Sequence, residues 1–183
     1  ALKIKEYADR KLEECNSMGG IIECVVKNMP AGIGEPVFDK LDANLAKAVM
    51  SIGAVKGVEI GDGFAVAGAF GSDNNDSFCK GQDGKIAKTT NHAGGILGGM
   101  SDGSDIILRA AIKPTPSIAR QQQTVNRDGE DIEISIKGRH DPIIVPRAVV
   151  VVEAMTAICV LDMILLGMTS RLDRNKNLCD LIL

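Results

Sequence analysis

At 183 residues, with 45% hydrophobic and 25% charged side chains, the chain has the size and balance of one soluble globular domain. A net charge of −3, with four Phe, one Tyr and no Trp, leaves neither a general basic surface nor a stacking platform, so nucleic acid is not an expected partner. The five Cys (Cys15, Cys24, Cys79, Cys159, Cys179) are odd in number and form no CxxC, so no disulfide framework and no metal site is expected, and a reducing cytoplasm fits.

Lys3, Lys5 and Glu6 interrupt any apolar run at the start, so no signal peptide is expected there. Ile4, Ala8, Leu12 and Cys15 share one helical face, which predicts an amphipathic helix over 3–17 with Gly19 as its stop. The β-branched run at 20–27 predicts a strand, followed by a Gly- and Pro-rich loop at 30–36. Phe38, Leu41, Leu45 and Ala48 predict a second helix over 38–51. Strands are expected at 55–60 and 64–70, on either side of the turn Gly61-Asp62-Gly63.

Residues 72–90 are polar and without period, which predicts a loop or irregular hairpin. Further strands are expected at 105–113 and 131–137. In the second, Ile132, Ile134 and Ile136 alternate with Glu133 and Ser135, predicting one buried and one wet face after a turn at 126–129. Residues 148–168 are long and apolar enough to span a membrane. Glu153 and Asp162 interrupt them on roughly opposite faces, and each would cost about 2.5–3.5 kcal/mol at a bilayer centre. A buried helix over 146–168 of a soluble protein is therefore expected, not a membrane span. Pro146 suits its first turn, and the two carboxylates are expected to be partnered in packing or at an interface. The tail from Arg171 is charged, then apolar again at 178–183. This order lacks regular βαβ alternation and predicts an α+β fold, with antiparallel sheet packed on long helices.

Dinucleotide fingerprints fail. Gly32-Ile33-Gly34 and Gly61-Asp62-Gly63 are followed by Val37 and Val66 where a third glycine is needed. The run Asp73, Asn75, Ser77 starts a calcium-loop pattern but has Phe78 and Gly84 where Gly and Glu are required. Three segments remain. Gly94–Gly99 holds four glycines, allowing backbone to approach a flat or anionic ligand or simply to make a tight connector, with Asn91 and His92 just before it. Lys113-Pro114-Thr115-Pro116-Ser117 joins a cation and two hydroxyls on a proline-stiffened turn, suited to a phosphate or to an ordinary strand exit. Gly138-Arg139-His140-Asp141-Pro142 packs three ionisable groups between a strand and an apolar helix. Arg139 suits phosphate or carboxylate, and His140 and Asp141 suit proton movement. The alternative there is a local Arg–Asp pair capping the helix start.

Together with the stretch 34–64, the segments NHAGGILGG (91–99), KPTPSI (113–118) and GRHDPIIVPRAVVVVEAM (138–155) resemble, in order and spacing, the C-terminal signatures of the chorismate synthase family. The resemblance implies long helices packed against antiparallel sheet. It also implies a cytosolic homotetramer using reduced FMN. The reaction it implies is a 1,4-elimination of phosphate from 5-enolpyruvylshikimate 3-phosphate to chorismate, in the shikimate pathway to aromatic amino acids.

By motif, Gly53 and Ala54 match a backbone contact to FMN, and Gly98 matches a glycine at the flavin. Lys113, Pro114, Thr115, Pro116 and Ser117 match the loop gripping the FMN tail. Arg139 matches the arginine at the flavin and substrate anions, and Asp141 the catalytic aspartate handling a proton at flavin N5. Gly53 stands where the family more often has Asn or Pro, Ile143 and Ile144 replace a small residue or Cys, and 72–90 is longer than in many relatives. The family's GxSHG histidine, a second catalytic histidine and several arginines are absent, His92 and His140 being the only histidines. Residues 1–183 are therefore expected to be the C-terminal half of the domain and to be inactive alone. The rival expectation is a non-catalytic module that assembles through its apolar helix and binds no flavin; another is a phosphate-binding domain of a different pathway.

Overall fold

The computed structural model describes residues 2–81, 84, 86–138 and 140–169. In chain order the elements are α1 (Leu2–Glu13), β1 (Gly20–Val26), α2 (Leu41–Met50), β2 (Val55–Ile60), a 3₁₀ turn (Gly63–Gly68), α3 (Gly71–Asn74), β3 (Phe78–Lys80), β4 (Ile86–Lys88), β5 (Ile96–Leu97), β6 (Met100–Ser101), β7 (Ile106–Ile112), β8 (Gln122–Val125), β9 (Asp131–Ile134) and α4 (Val145–Thr169). Arg139, the tail beyond 169 and Cys179 with it lie outside the described residues.

The core is built around β7. Its sequence IILRAAI alternates, so Ile106, Leu108, Ala110 and Ile112 face one side and are buried. Ile107, Arg109 and Ala111 face the other. β7 is the middle strand of the sheet β1-β7-β2 and pairs antiparallel with both neighbours. The buried face is covered by Leu41, Leu45 and Val49 of α2 and by Val152, Thr156, Val160 and Met163 of α4. Those positions fall one helical turn apart, and each buried aliphatic side chain contributes about 1.5–3 kcal/mol. The fold is α+β, as expected. The other six strands make three small hairpins, β3-β4, β5-β6 and β8-β9.

Five expectations are corrected. The first helix stops at Glu13, not 17. Cys15 takes a left-handed φ of 53°, with Asn16 N–H donating to Lys11 O (2.9 Å) and Cys15 N–H to Leu12 O (3.0 Å). This is a Schellman ending with cysteine where glycine is usual, so Gly19 is not the stop. The second helix begins at Leu41 because Phe38 is left-handed (φ 58°) and 91% exposed. Residues 64–70 form the 3₁₀ turn rather than a strand. The left-handed Gly63 (φ 55°) redirects the chain, and Phe64 N–H donates to Glu59 Oε1 at 3.1 Å.

The expected buried face of 131–137 is not formed. β9 pairs with β8, a strand the polar sequence QQTV did not announce, and both strands of this hairpin lie largely exposed. Finally, α4 is not a buried helix within this chain. It is long and apolar enough to cross a membrane, by length and composition only, and 22% of its apolar window is buried here. It rests one stripe on the sheet and leaves Val150, Ile158, Leu161 and Leu166 exposed. Glu153 and Asp162 are exposed as well, and neither is ion-paired among the described residues.

Candidate functional site

Three expected segments meet at the Ile112 end of the central sheet. The backbone N–H of Lys113 donates to Ala54 O at 2.9 Å, which joins the exit of β7 to the entry of β2. Ala54 is left-handed (φ 71°), and the pairing shifts register between Val55 and Gly57 so that Lys56 is bulged. Such bulges re-aim a strand end. A Cβ added to Gly53 would meet nothing within 4 Å, so this backbone presents an open face.

Residues 16–19, between α1 and β1, stitch the loop 113–117 to the segment 138–142. Ser17 Oγ donates to Thr115 O at 2.6 Å. Met18 N–H donates to Pro142 O at 2.8 Å, and Met18 forms a parallel bridge with Ile143. Gly19 must be glycine, because an added Cβ would lie 2.3 Å from Ile112 O and 3.2 Å from Pro114 Cδ. Neither Ser17 nor Met18 carried any motif; the only sequence signal was their place between a helix and an edge strand.

Lys113 is exposed, while Thr115 and Ser117 are half-buried. Thr115 Oγ1 is fully shielded and has no hydrogen-bond partner among the described residues. Ser117 Oγ lies 3.1 Å from His140 Nδ1, and His140 Nε2 lies 2.7 Å from Ile136 O. Asp141 is half-buried, and its Oδ2 accepts from Arg147 Nη1 at 2.8 Å. An Arg–Asp pair does stand at the start of α4, but with Arg147, 75% exposed, as its described partner. An exposed pair of this kind adds at most about 1 kcal/mol. A cleft of about 360 Å³, lined by Leu12, Cys15, Asn16, Ile118, His140 and Asp141, opens beside these groups.

Gly98 is not among them. It sits in the β5-β6 turn (φ 60°), beside Gly99, whose carbonyl accepts from Leu41 N–H at 2.8 Å. That is the Ile106 end of β7, a seven-residue strand spanning roughly 20 Å. A ligand touching both ends must be about as long as β7 or be shared between two copies of the chain. The glycine segment is in part the tight connector that was its alternative. Gly61 and Gly94 pack backbone on backbone, an added Cβ at Gly61 lying 2.1 Å from His92 O. Gly98 itself is open, with nothing within 4 Å of an added Cβ.

A charge cluster that the sequence did not announce holds this end. Lys88 Nζ lies 2.6 Å from Asp102 Oδ2 and 3.2 Å from Asp76 Oδ2, all three side chains being buried. Asp76 also accepts from Thr90 Oγ1 (2.7 Å) and from the N–H groups of His92 (2.8 Å) and Ala93 (3.0 Å). Burial pushes the Asp76 carboxyl up. The Ala93 N–H, Thr90 hydroxyl, His92 N–H and Lys88 outweigh it and hold the group far below the usual carboxylate range. Asp102 is lowered too; there burial is opposed by Lys88 and Ser104. His92 Nδ1 meets Asp62 Oδ2 at 2.6 Å, which ties the glycine segment to the turn after β2.

This fold, with an anion-suited loop and open glycine backbone at one sheet end, defines an α+β protein with a candidate site for a phosphate-bearing ligand. The profile of the chorismate synthase family matches residues 1–165. The chain is 66% identical over 174 residues to the chorismate synthase of Agathobacter rectalis, covering 95% of this chain and 47% of that one. It is 63% identical over 176 residues to that of Lachnoclostridium phytofermentans (96% and 48%), and 62% over 154 residues to that of Archaeoglobus fulgidus (84% and 42%). A crystal structure of chorismate synthase superposes with a TM-score of 0.74 at 33% identity, covering 91% of this chain and 43% of that one. The chain belongs to the chorismate synthase family, and spans about half the length of the curated relatives it matches.

Proposed function

We propose that this chain forms the C-terminal half of a chorismate synthase domain and carries one end of its flavin site. The reaction is the 1,4-elimination of phosphate from 5-enolpyruvylshikimate 3-phosphate, giving chorismate for aromatic amino acid biosynthesis. The protein then acts in the cytoplasm as a homotetramer. The observation that carries this reading is the convergence of Gly53, Ala54, Lys113–Ser117 and Asp141 at one sheet end, in a member of this family.

The residues present fit FMN. A buried hydroxyl without a partner costs about 1–3 kcal/mol, and a phosphate oxygen is a suitable complement to Thr115 Oγ1. Lys113 supplies the countercharge, Ser117 a second hydroxyl, and Pro114 and Pro116 stiffen the turn. Gly53 and Ala54 offer backbone on an open face. Arg139 would take the flavin and substrate anions, and Gly98 would reach the flavin from the other end of the sheet. The chemistry that reduced FMN supplies when bound is an electron lent as the C–O bond breaks and then recovered. Asp141, a carboxylate with Arg147 as countercharge, would hold and release the proton near flavin N5.

Turnover of the enolpyruvyl substrate by the full-length protein with reduced FMN tests this reading, and these 183 residues alone are expected to form no chorismate. A second reading, an assembly module that binds no flavin, is favoured by the open apolar stripe of α4. Flavin fluorescence on titration separates the two, because the module predicts no quenching.

A further inference from the structure

His140 is engaged at both ring nitrogens. A carbonyl oxygen only accepts, so Nε2, 2.7 Å from Ile136 O, carries the hydrogen. In the neutral ring Nδ1 is then an acceptor, and the Ser117 hydroxyl, 3.1 Å away, donates to it. The ring thereby clips the loop 113–117 to the segment following β9. The chain between these two points runs out along the exposed β8-β9 hairpin. One further tie, Ser135 Oγ donating to Ala119 O at 2.6 Å, closes the base of that hairpin.

This arrangement has a chemical consequence. With its hydrogen committed to His140, Ser117 presents only lone pairs to an incoming phosphate, whose oxygens also only accept. Ser117 can donate to a phosphate only if Nδ1 gives up its claim on that hydrogen. The change is balanced by one proton from solvent: the ring takes it at Nδ1 and donates to Ser117 Oγ, and the Ser117 hydrogen turns to the phosphate oxygen. The ring gains one positive charge beside the anion. Among the described residues, Asp141 on its own segment and Cys15 across the cleft line the space beside the ring, and Arg147 of α4 is paired to Asp141.

We propose that His140 is a positioning residue for the phosphate group held by Lys113–Ser117, and that it takes up a proton when that group binds. The proposal rests on the flavin-site reading above and adds to it a residue and a proton.

The test is calorimetric titration of the full-length protein with FMN and with riboflavin, which lacks the phosphate, near neutral pH in two buffers of different ionisation enthalpy. Wild type is expected to take up a fraction of a proton with FMN beyond that of the His140→Gln variant, and no extra proton with riboflavin. Glutamine can keep the hydrogen bond that Nε2 donates to Ile136 O but cannot take the proton, and the phosphate's own titration is common to both proteins. His140→Ala and Ser117→Ala are each expected to weaken FMN about three- to tenfold, with the double variant no worse than either single, because the two residues act as one unit. Equal proton uptake in wild type and His140→Gln, or additive single losses, would overturn the role of His140 while leaving the flavin site standing. Wild type binding FMN no more tightly than riboflavin would overturn the phosphate loop, and this proposal with it.

Discussion

The carbonyl of Ala54 accepts the backbone N–H of Lys113 at 2.9 Å, so two segments nearly sixty positions apart in sequence share one hydrogen bond at one end of the central sheet. The exit of β7 cannot move without the entry of β2. The loop after Lys113 and the open backbone of Gly53 therefore lie at the same end of the sheet.

That open face separates binding from stability. Gly53→Ala adds a methyl group with no neighbour within 4 Å, so thermal unfolding is expected to stay within about 0.5 kcal/mol of wild type. Flavin affinity should fall if the flavin lies against this backbone. Unchanged FMN affinity would remove Gly53 from the site.

Gly19 gives the opposite pattern. Gly19→Ala drives a methyl into Ile112 O and Pro114, backbone and ring that cannot step aside. A loss of roughly 1–3 kcal/mol in denaturant unfolding is expected, with weaker FMN binding if the loop that Pro114 begins holds the phosphate as proposed.

Asp141 and Arg147 form an exposed pair, so removing either should change stability by less than about 1 kcal/mol. Their kinetic effects should differ. Asp141→Ala is expected to lower turnover at least about a hundredfold, the scale of a lost acid–base group, and Arg147→Ala much less. Full turnover by Asp141→Ala would end its proton-handling role.

The cluster around Lys88 sets an acid limit. Asp76 and Asp102 are both lowered in the folded state, so their stabilisation is fully present above the ordinary Asp pKa and is lost as pH falls below it toward the folded values. Urea midpoints should therefore drop as pH falls below about 4. Lys88→Met, which leaves two buried carboxylates without their cation, should cost about 3–5 kcal/mol at neutral pH, with the deficit shrinking in acid. A Lys88→Met protein with wild-type stability at pH 7 would show that the cluster contributes nothing.

The alternation of Ile106, Leu108, Ala110 and Ile112 and the spacing of Leu41 and Leu45 made the sheet and its covering helix legible in the sequence, because both report burial directly. The alternation of Ile132, Ile134 and Ile136 misled, since period two marks a strand but not whether anything covers it. The Cys15 turn was illegible for a similar reason: its left-handed backbone is imposed by the hydrogen bonds that close α1 and not by its side chain. At the candidate site, the cation, hydroxyls and prolines of Lys113–Ser117 read as an anion-suited turn or a strand exit, whereas Ser17 and Met18 act through backbone and hydroxyl contacts that no composition signals. Lys88, Asp76 and Asp102 are scattered through a polar stretch, and only folding makes them a cluster. α4 resembles a buried helix because it is apolar all round, but within this chain it is covered on one side alone.

The most direct test of the flavin site is an equilibrium titration of FMN, followed by fluorescence, against the full-length protein and its Lys113→Ala variant. Saturable quenching by wild type is expected, with affinity at least about tenfold weaker for the variant, the scale of one charge-assisted contact to phosphate. No quenching by wild type, or equal affinity in the two proteins, would contradict the assignment of Lys113–Ser117 as the loop that holds the FMN phosphate.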